Sequence, residues 1–172
     1  MQLTGRQIVE ESIVTNVCKD GIQQQGVDVR IDRVYKSYTG EGLVPAIGKT
    51  VRPNYLEIYP EEVTWGDGIL SNYFHLEPGW YEVELMEGCE ISKDVVLNYK
   101  TRSSLVRCGA VVHSGQFDAG FKTDKMGCFL HVIHPINIEK GARIARAIVT
   151  ESHEVDDDQL YNGQWQGDKQ RN

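Results

Sequence analysis

No stretch of this chain approaches the roughly 18 consecutive apolar residues that a membrane-spanning helix needs. Its first residues also lack the basic segment and apolar block of a secretory leader. Both absences point to a cytoplasmic protein. Basic charge is short as well: 18 Lys and Arg against 25 Asp and Glu leave a formal net charge of −7. A nucleic-acid binder, or a protein of anionic membrane surfaces, would want the opposite field, so no nucleic-acid and no membrane partner is expected. Cys18, Cys89, Cys108 and Cys128 stand singly, with no Cys-x-x-Cys pair, which reads as reduced thiols rather than disulfides or zinc ligands. The five histidines are equally scattered, with no His-x-x-x-His spacing. His75-Leu76-Glu77 has the His-x-Glu spacing of a zinc deaminase, but no Pro-Cys-x-x-Cys follows it, and no metal site is read there.

What the chain does carry is strand texture. Its 172 residues suffice for one hydrophobic core and not for two domains of ordinary size, so one domain over residues 1–150 with a tail over 151–172 is expected. Thr4 and Gln7 have the spacing of a capping box, which with Leu3, Ile8 and Val9 predicts a short helix over residues 3–11. From Ile13 onward β-branched residues and short alternations take over, broken by glycine and Asn/Asp clusters. Strands are predicted at residues 27–31 with Val34 and Tyr35, then at 55–58, 74–76, 79–85, 95–98, 105–112, 128–133 and 142–150. Turn pairs at Pro78-Gly79 and Glu87-Gly88 and the lack of any repeat suit a mostly-β fold, an antiparallel sandwich or jelly-roll-like barrel. After Thr150 the chain reads ESHEVDDDQLYNGQWQGDKQRN, too poor in aliphatics to order by itself. Tyr161 and Trp165 are nevertheless costly to leave in solvent, which suits a tail that folds over a ligand or a neighbouring subunit.

Chemistry-bearing residues concentrate in residues 100–132. Arg102-Ser103-Ser104 followed by Arg107 brings two guanidiniums and two hydroxyls together. The arginine fork matches phosphate oxygens in a bidentate manner, so the cluster suits a polyphosphate, although a solvated turn has the same spelling. Asp118 lies in Phe117-Asp118-Ala119-Gly120-Phe121, an acid in an apolar frame that can hold a water as general base. Taken alone, it also suits a turn-forming aspartate.

The spellings then become specific. IQQQGVDVRI (22–31) resembles the IQPxSVDLRL first motif of the dCTP deaminase and dUTPase superfamily, RSSLVR (102–107) its second, FDAGFK (117–122) its third and EKGARIA (139–145) its fourth. YNGQWQG (161–167) is similar to the YxGKYQGQ tail of the deaminase branch, and the short N-terminal helix fits that branch too.

The resemblance implies a dUTPase-like distorted β-barrel with a flexible C-terminal tail. It implies a homotrimer whose sites lie between subunits and bind a pyrimidine deoxynucleoside triphosphate. By the same resemblance Arg102, Ser103, Ser104 and Arg107 hold the triphosphate, and Asp118 lies near the deoxyribose and orients the attacking water. Gln116 and Phe117 read the pyrimidine edge, and Phe121 packs under the sugar. Tyr161, Gln164 and Lys169 contribute from the tail, where Gln164 stands in place of the usual lysine and Lys169 or Arg171 can substitute for it. Magnesium is expected, held largely by phosphate oxygens and water.

Departures from the pattern bear on the reaction. Deamination in this superfamily relies on a glutamate in a GxIxLE segment after the third motif, where this chain reads GCFLHV (127–132). Val132 or His131 takes that place, and a valine cannot shuttle a proton. Asp118 is retained, so the chemistry favours water attack on dUTP, giving dUMP and pyrophosphate. A dCTP deaminase and a bifunctional dCTP deaminase/dUTPase stay as alternatives, because the other spellings favour the deaminase branch, and a catalytically silent nucleotide-binding regulator stays as one because that glutamate is missing. Thr123-Asp124-Lys125-Met126 looks like an insertion that lengthens a hairpin beside the site.

Overall fold

The computed structural model of the chain describes residues 1–64, 66 and 68–167. Thr4 starts its first element: the Thr4 hydroxyl accepts from the Gln7 N–H at 3.3 Å, and Gln7 Oε1 accepts the Thr4 N–H at 3.0 Å. These reciprocal bonds satisfy donors that a helix start leaves orphaned. They open α1 (Gly5–Glu10), which fixes itself to the core through fully buried Ile8.

Strands follow in close succession: β1 (Val14–Thr15), β2 (Val27–Thr39), β3 (Asn54–Ile58), β4 (Glu61–Thr64), β5 (Leu70–Leu76), β6 (Gly79–Leu85), β7 (Gly88–Glu90) and β8 (Val95–Thr101). A single-turn helix, α2 (Ser103–Arg107), precedes β9 (Ala110–His113), β10 (Lys122–Thr123), β11 (Gly127–Val132), β12 (Ile136–Glu139) and β13 (Arg143–Glu151). The large sheet runs β8-β13-β2-β6-β11-β9 with β3 added to β2, and two small sheets run β1-β7-β10 and β12-β5-β4. All of these pairings are antiparallel. Their apolar faces close on one core that includes Val29, Ile31, Phe74, Leu85, Leu97, Leu130 and Ile144. The fold is the mostly-β, jelly-roll-like one expected, with a short N-terminal helix.

The predicted strand over residues 105–112 is corrected. Its first part is α2, and only Ala110–His113 is strand. Leu105 is buried on the inner side of that turn, and Gly109, at φ 87°, closes the helix in the left-handed conformation that a C-terminal glycine adopts readily. A short apolar run does not by itself distinguish a buried turn of helix from a strand.

Bulges interrupt β2 and β13. In β2, Ile31 pairs with Leu85 but Arg33 pairs with Glu84, so Asp32 is the extra residue and is buried. Lys125 and Lys140 both bond its carboxylate. Burial alone would raise the Asp32 carboxyl, but the hydrogen bonds and charges of these two lysines outweigh it and hold the group below its ordinary value of 3.8. In β13, Arg143 pairs with Arg30 and Ala145 with Val29, so Ile144 is the extra residue. Residues three apart in a regular strand point to opposite faces, and one extra residue restores them to the same face. Arg143 and Arg146 therefore reach the same side.

Candidate active site

Asp28, in β2, is the point on which those arginines meet. Its side chain is 1% exposed. Arg146 Nε donates to Oδ1 at 3.0 Å, while Arg102 Nε and Arg143 Nη1 lie 3.4 and 3.6 Å from Oδ2. The β13 bulge also seats Arg102: Ile144 O accepts its backbone N–H at 3.2 Å, and Arg143 O accepts from its Nη1 at 3.3 Å. Three guanidiniums against one carboxylate leave two positive charges in surplus, each cation about one-third exposed. That surplus suits an anion. Ser103, Ser104 and Arg107 extend the same edge and are exposed.

The Asp118 turn lies elsewhere on the chain's surface. Phe117 forms a two-bond bridge with Leu97 in β8, and the Asp118 carbonyl accepts from the Phe121 N–H at 3.1 Å. The Asp118 carboxylate is exposed, and its Oδ1 accepts from Gln116 Nε2 at 2.8 Å. Arg102 lies five residues beyond Leu97, about 16 Å along an extended strand. One chain thus holds the acid and the arginine cluster well apart.

The tail packs onto this turn within its own chain. Ala119 O accepts from the Tyr161 N–H at 2.8 Å, Gln166 bridges Gly120 O and the Lys122 N–H at 2.7 and 3.0 Å, and Lys122 O accepts from the Gly167 N–H at 2.9 Å. Gly120, at φ 85°, lets this happen, since a Cβ there would come within 2.9 Å of Leu160. Tyr99, Phe117, Phe121 and Tyr161 form a run of edge-to-face contacts at 5.3, 5.4 and 5.3 Å, carrying the aromatic core out to the tail. Gln164 clamps the tail to the loop between β2 and β3, accepting the Thr50 N–H at 2.9 Å and donating to Thr50 O at 2.8 Å. Lys169 lies outside the described residues.

Between the turn and the tail opens a cavity of about 340 Å³, walled by Phe117, Phe121, Phe129 and Trp165 and reached by Ser114 and Gly115. A second cavity of about 500 Å³, bordered by Tyr35, Tyr38, Tyr55 and Gln164, lies under the β2–β3 loop. Arg52 and Glu82 belong to both walls and are ion-paired. His131 is not on either wall: it stacks on Trp80 at 4.3 Å and 3°. Val132 is buried in the core at 1% exposure.

Residues 2–152 match the model of the dCTP deaminase-like family. The chain belongs to that family. It is 31% identical over 153 residues to the deoxyuridine 5′-triphosphate nucleotidohydrolase of Methanocaldococcus jannaschii, covering 88% of this chain and 91% of that one. It is 30% identical over 156 residues to a probable deoxyuridine 5′-triphosphate nucleotidohydrolase of Halobacterium salinarum, covering 91% and 89%. The crystal structure of 2′-deoxycytidine 5′-triphosphate deaminase from Agrobacterium tumefaciens has a similar fold, with a TM-score of 0.60 at 17% identity. That match covers 88% of this chain and about half, 48%, of the deaminase. This member of the dCTP deaminase-like family is therefore an enzyme of the nucleotide-hydrolysing dUTPase and dCTP deaminase superfamily.

Of the site residues expected for this family, the structure puts Phe117 and Phe121 on the first cavity and Gln164 on the second, with Tyr161 against Phe121. Gln116 and Asp118 line neither cavity and are joined to each other. Arg102, Ser103, Ser104 and Arg107 gather at the separate arginine edge. Sequence reasoning passed over Asp28 and Arg146, which belong to the arginine cluster, and Arg52 and Glu82, which border both cavities. Asp28 carried a signal, since an acid inside the β-branched run VDV must find cations when buried; Arg52 and Glu82 carried none.

Cys128 borders the first cavity, yet burial pushes its thiol up to about 12, as it does that of Cys89. Thiolate is the reactive form. Iodoacetamide near neutral pH is therefore expected to label exposed Cys108 in the native protein and to reach Cys89 and Cys128 only after unfolding. Peptide mass spectrometry of the alkylated protein checks this.

Proposed function

We propose that the enzyme is a dUTP diphosphatase. Water attacks the α-phosphorus of dUTP, the bond from that phosphorus to the bridging oxygen breaks, and dUMP and pyrophosphate leave. Asp118 takes the proton of the attacking water, a role its exposed carboxylate and its bond from Gln116 support. Arg102, with Ser103, Ser104 and Arg107, grips the triphosphate, and the charge surplus around Asp28 supports that assignment. Phe121 lies under the deoxyribose, Phe117 borders the base, and Tyr161, Gln164 and Lys169 bring the tail over the nucleotide.

The observation that carries dUTP over dCTP is the fate of the two positions where a deaminase glutamate would stand. Val132 is in the core and His131 is stacked on Trp80 away from the cavity, so neither is poised to move a proton at C4 of a bound base. The names of the nucleotidohydrolase relatives support the same choice.

The wide spacing of Asp118 and Arg102 within one chain supports a homotrimer in which a site takes its acid from one subunit and its phosphate grip from a neighbour. Magnesium, when bound, offsets phosphate charge. Among the described residues no group of three or more His, Cys, Asp or Glu converges on one point, which fits an ion carried mainly by phosphate oxygens and water. Among the described residues no helix is long and apolar enough to cross a membrane.

The test is to incubate the purified enzyme with dUTP or dCTP and magnesium while following pyrophosphate and ammonia separately. Pyrophosphate from dUTP alone is expected. Ammonia from dCTP would overturn the assignment in favour of deamination, and binding of dUTP with neither product would mark a silent regulator.

A further inference from the structure

We propose that the uncovered outer face of β6, β11 and β9 around Trp80 seats a second copy of this chain, which brings its arginine edge against the first cavity. This rests on the reading above in which the acid and the phosphate grip of one site come from different subunits, and it names the surfaces that join them.

Alternation fixes which side chains lie on that face. Tyr81 and Val83 of β6, Leu130 and Val132 of β11 and Val112 of β9 are buried in the core, so the residues between them point outward. In register the outward residues make two rows: Glu82, Phe129 and His113, and beside it Trp80, His131 and Val111. A sheet with one face on the core ordinarily shows a polar face to water. Here the second row carries no Asp, Glu, Lys or Arg, Trp80 is 53% exposed, and Ile133, just beyond β11, is 48% exposed. Trp80 lies flat on His131 at 4.3 Å and tilted against His113 at 5.1 Å, which fixes the indole in place. A held aromatic in a patch short of charge is the composition of a protein contact core.

The chain covers the neighbouring part of this face by itself. Trp165 of the tail borders the first cavity together with Glu82 and Phe129, and the β2–β3 loop closes over Tyr35 and Tyr55. Trp80 and Ile133 lie beyond that cover.

Charge selects a copy of this chain as the occupant. The cations on the first cavity's wall are already neutralised: Arg52 pairs with Glu82, and Lys125 is bonded to Asp32 and lies 3.2 Å from Glu84. A triphosphate there needs positive charge from elsewhere, and the surplus at Asp28 is out of reach within one chain. A second copy carries the same surplus beside an apolar contact, since its α2 presents Val106, 49% exposed, next to Arg107. Val106 suits the uncharged row around Trp80, and the arginines beside it suit the cavity. Face and edge are different patches, so the contact is heterologous and its repetition can close the ring that a homotrimer requires.

The experiment measures mass by light scattering, fold by circular dichroism and pyrophosphate release from dUTP. Trp80→Glu is expected to weaken association roughly 30-fold or more, the effect of losing a central aromatic anchor, giving folded single chains with little turnover at concentrations where the wild type is assembled. Tyr59→Glu, at an exposed aromatic outside the face, should keep wild-type mass and turnover. Mixing then tests which surfaces meet. Trp80→Glu subunits retain the acid and the arginine edge, while Arg102→Gln subunits retain the acid and the face, so the mixture should regain activity that neither shows alone. Trp80→Glu mixed with Asp118→Asn should stay inactive, because the intact face then carries the inactive acid. Wild-type mass and turnover in folded Trp80→Glu overturn the proposal, as does rescue by Asp118→Asn or its absence with Arg102→Gln. Should Trp80→Glu not fold, Ile133→Arg places a charge on the same face and is read in the same way. A wild type that assembles through Trp80 but releases no pyrophosphate would sink the diphosphatase reading and leave this contact standing.

Discussion

Replacing Asp118 with Asn is expected to lower dUTP turnover by about a thousandfold, within the range for loss of a general base, while nucleotide affinity changes little. The turn does not depend on the carboxylate: its closing bond is made by the Asp118 carbonyl, which accepts from the Phe121 N–H at 3.1 Å. Among the described residues the Asp118 side chain has one bond, from Gln116 Nε2 to Oδ1 at 2.8 Å, and an asparagine oxygen can also accept it. Shape, turn and neighbours are thus preserved, and only the capacity to take a proton is lost. Single-turnover pyrophosphate release together with equilibrium binding of dUTP separates the two effects. Wild-type turnover in a folded Asp118→Asn enzyme would remove Asp118 from the chemistry.

Asp28→Asn is expected to be the most destabilising change at the site. It leaves Arg102, Arg143 and Arg146 facing a buried amide with three positive charges and no counter-charge. Removing one partner of a buried ion pair costs about 3–5 kcal/mol. The arginines here are roughly one-third exposed and regain some hydration, so the low end, about 3 kcal/mol, is expected. For a chain of this size that is a fall in Tm of about 6–12 °C. Tripolyphosphate should recover part of the loss, because it replaces the missing negative charge where the cations converge. Thermal unfolding with and without tripolyphosphate measures both effects, and an unchanged Tm would show that the carboxylate does not hold the cluster together.

Local rules were enough for much of this fold. The capping box at Thr4 and Gln7 marked α1, and β-branched alternation marked β2, β6, β11 and β13. Those rules failed at α2, where Leu105 and Val106 spell a strand as readily as a buried turn. The family motifs likewise singled out Asp118 and the Arg102 edge as candidates, because each is contiguous in sequence. What they could not convey depends on three-dimensional register. Arg143 and Arg146 share a side only because Ile144 is bulged, and Arg52 reaches Glu82 only because the β2–β3 loop folds over β6. The tail motif was legible as a spelling, but its seating on Ala119 and Gly120 within the same chain required the fold.

The central claim is that this site hydrolyses a phosphoanhydride and leaves the base intact, and mass spectrometry of products formed in ¹⁸O-water from a mixture of dUTP and dCTP tests it most directly. Heavy oxygen is expected in the phosphate of dUMP, with pyrophosphate unlabelled and the cytosine amine retained. Heavy oxygen at C4 of a uracil formed from dCTP, or in pyrophosphate, would contradict it.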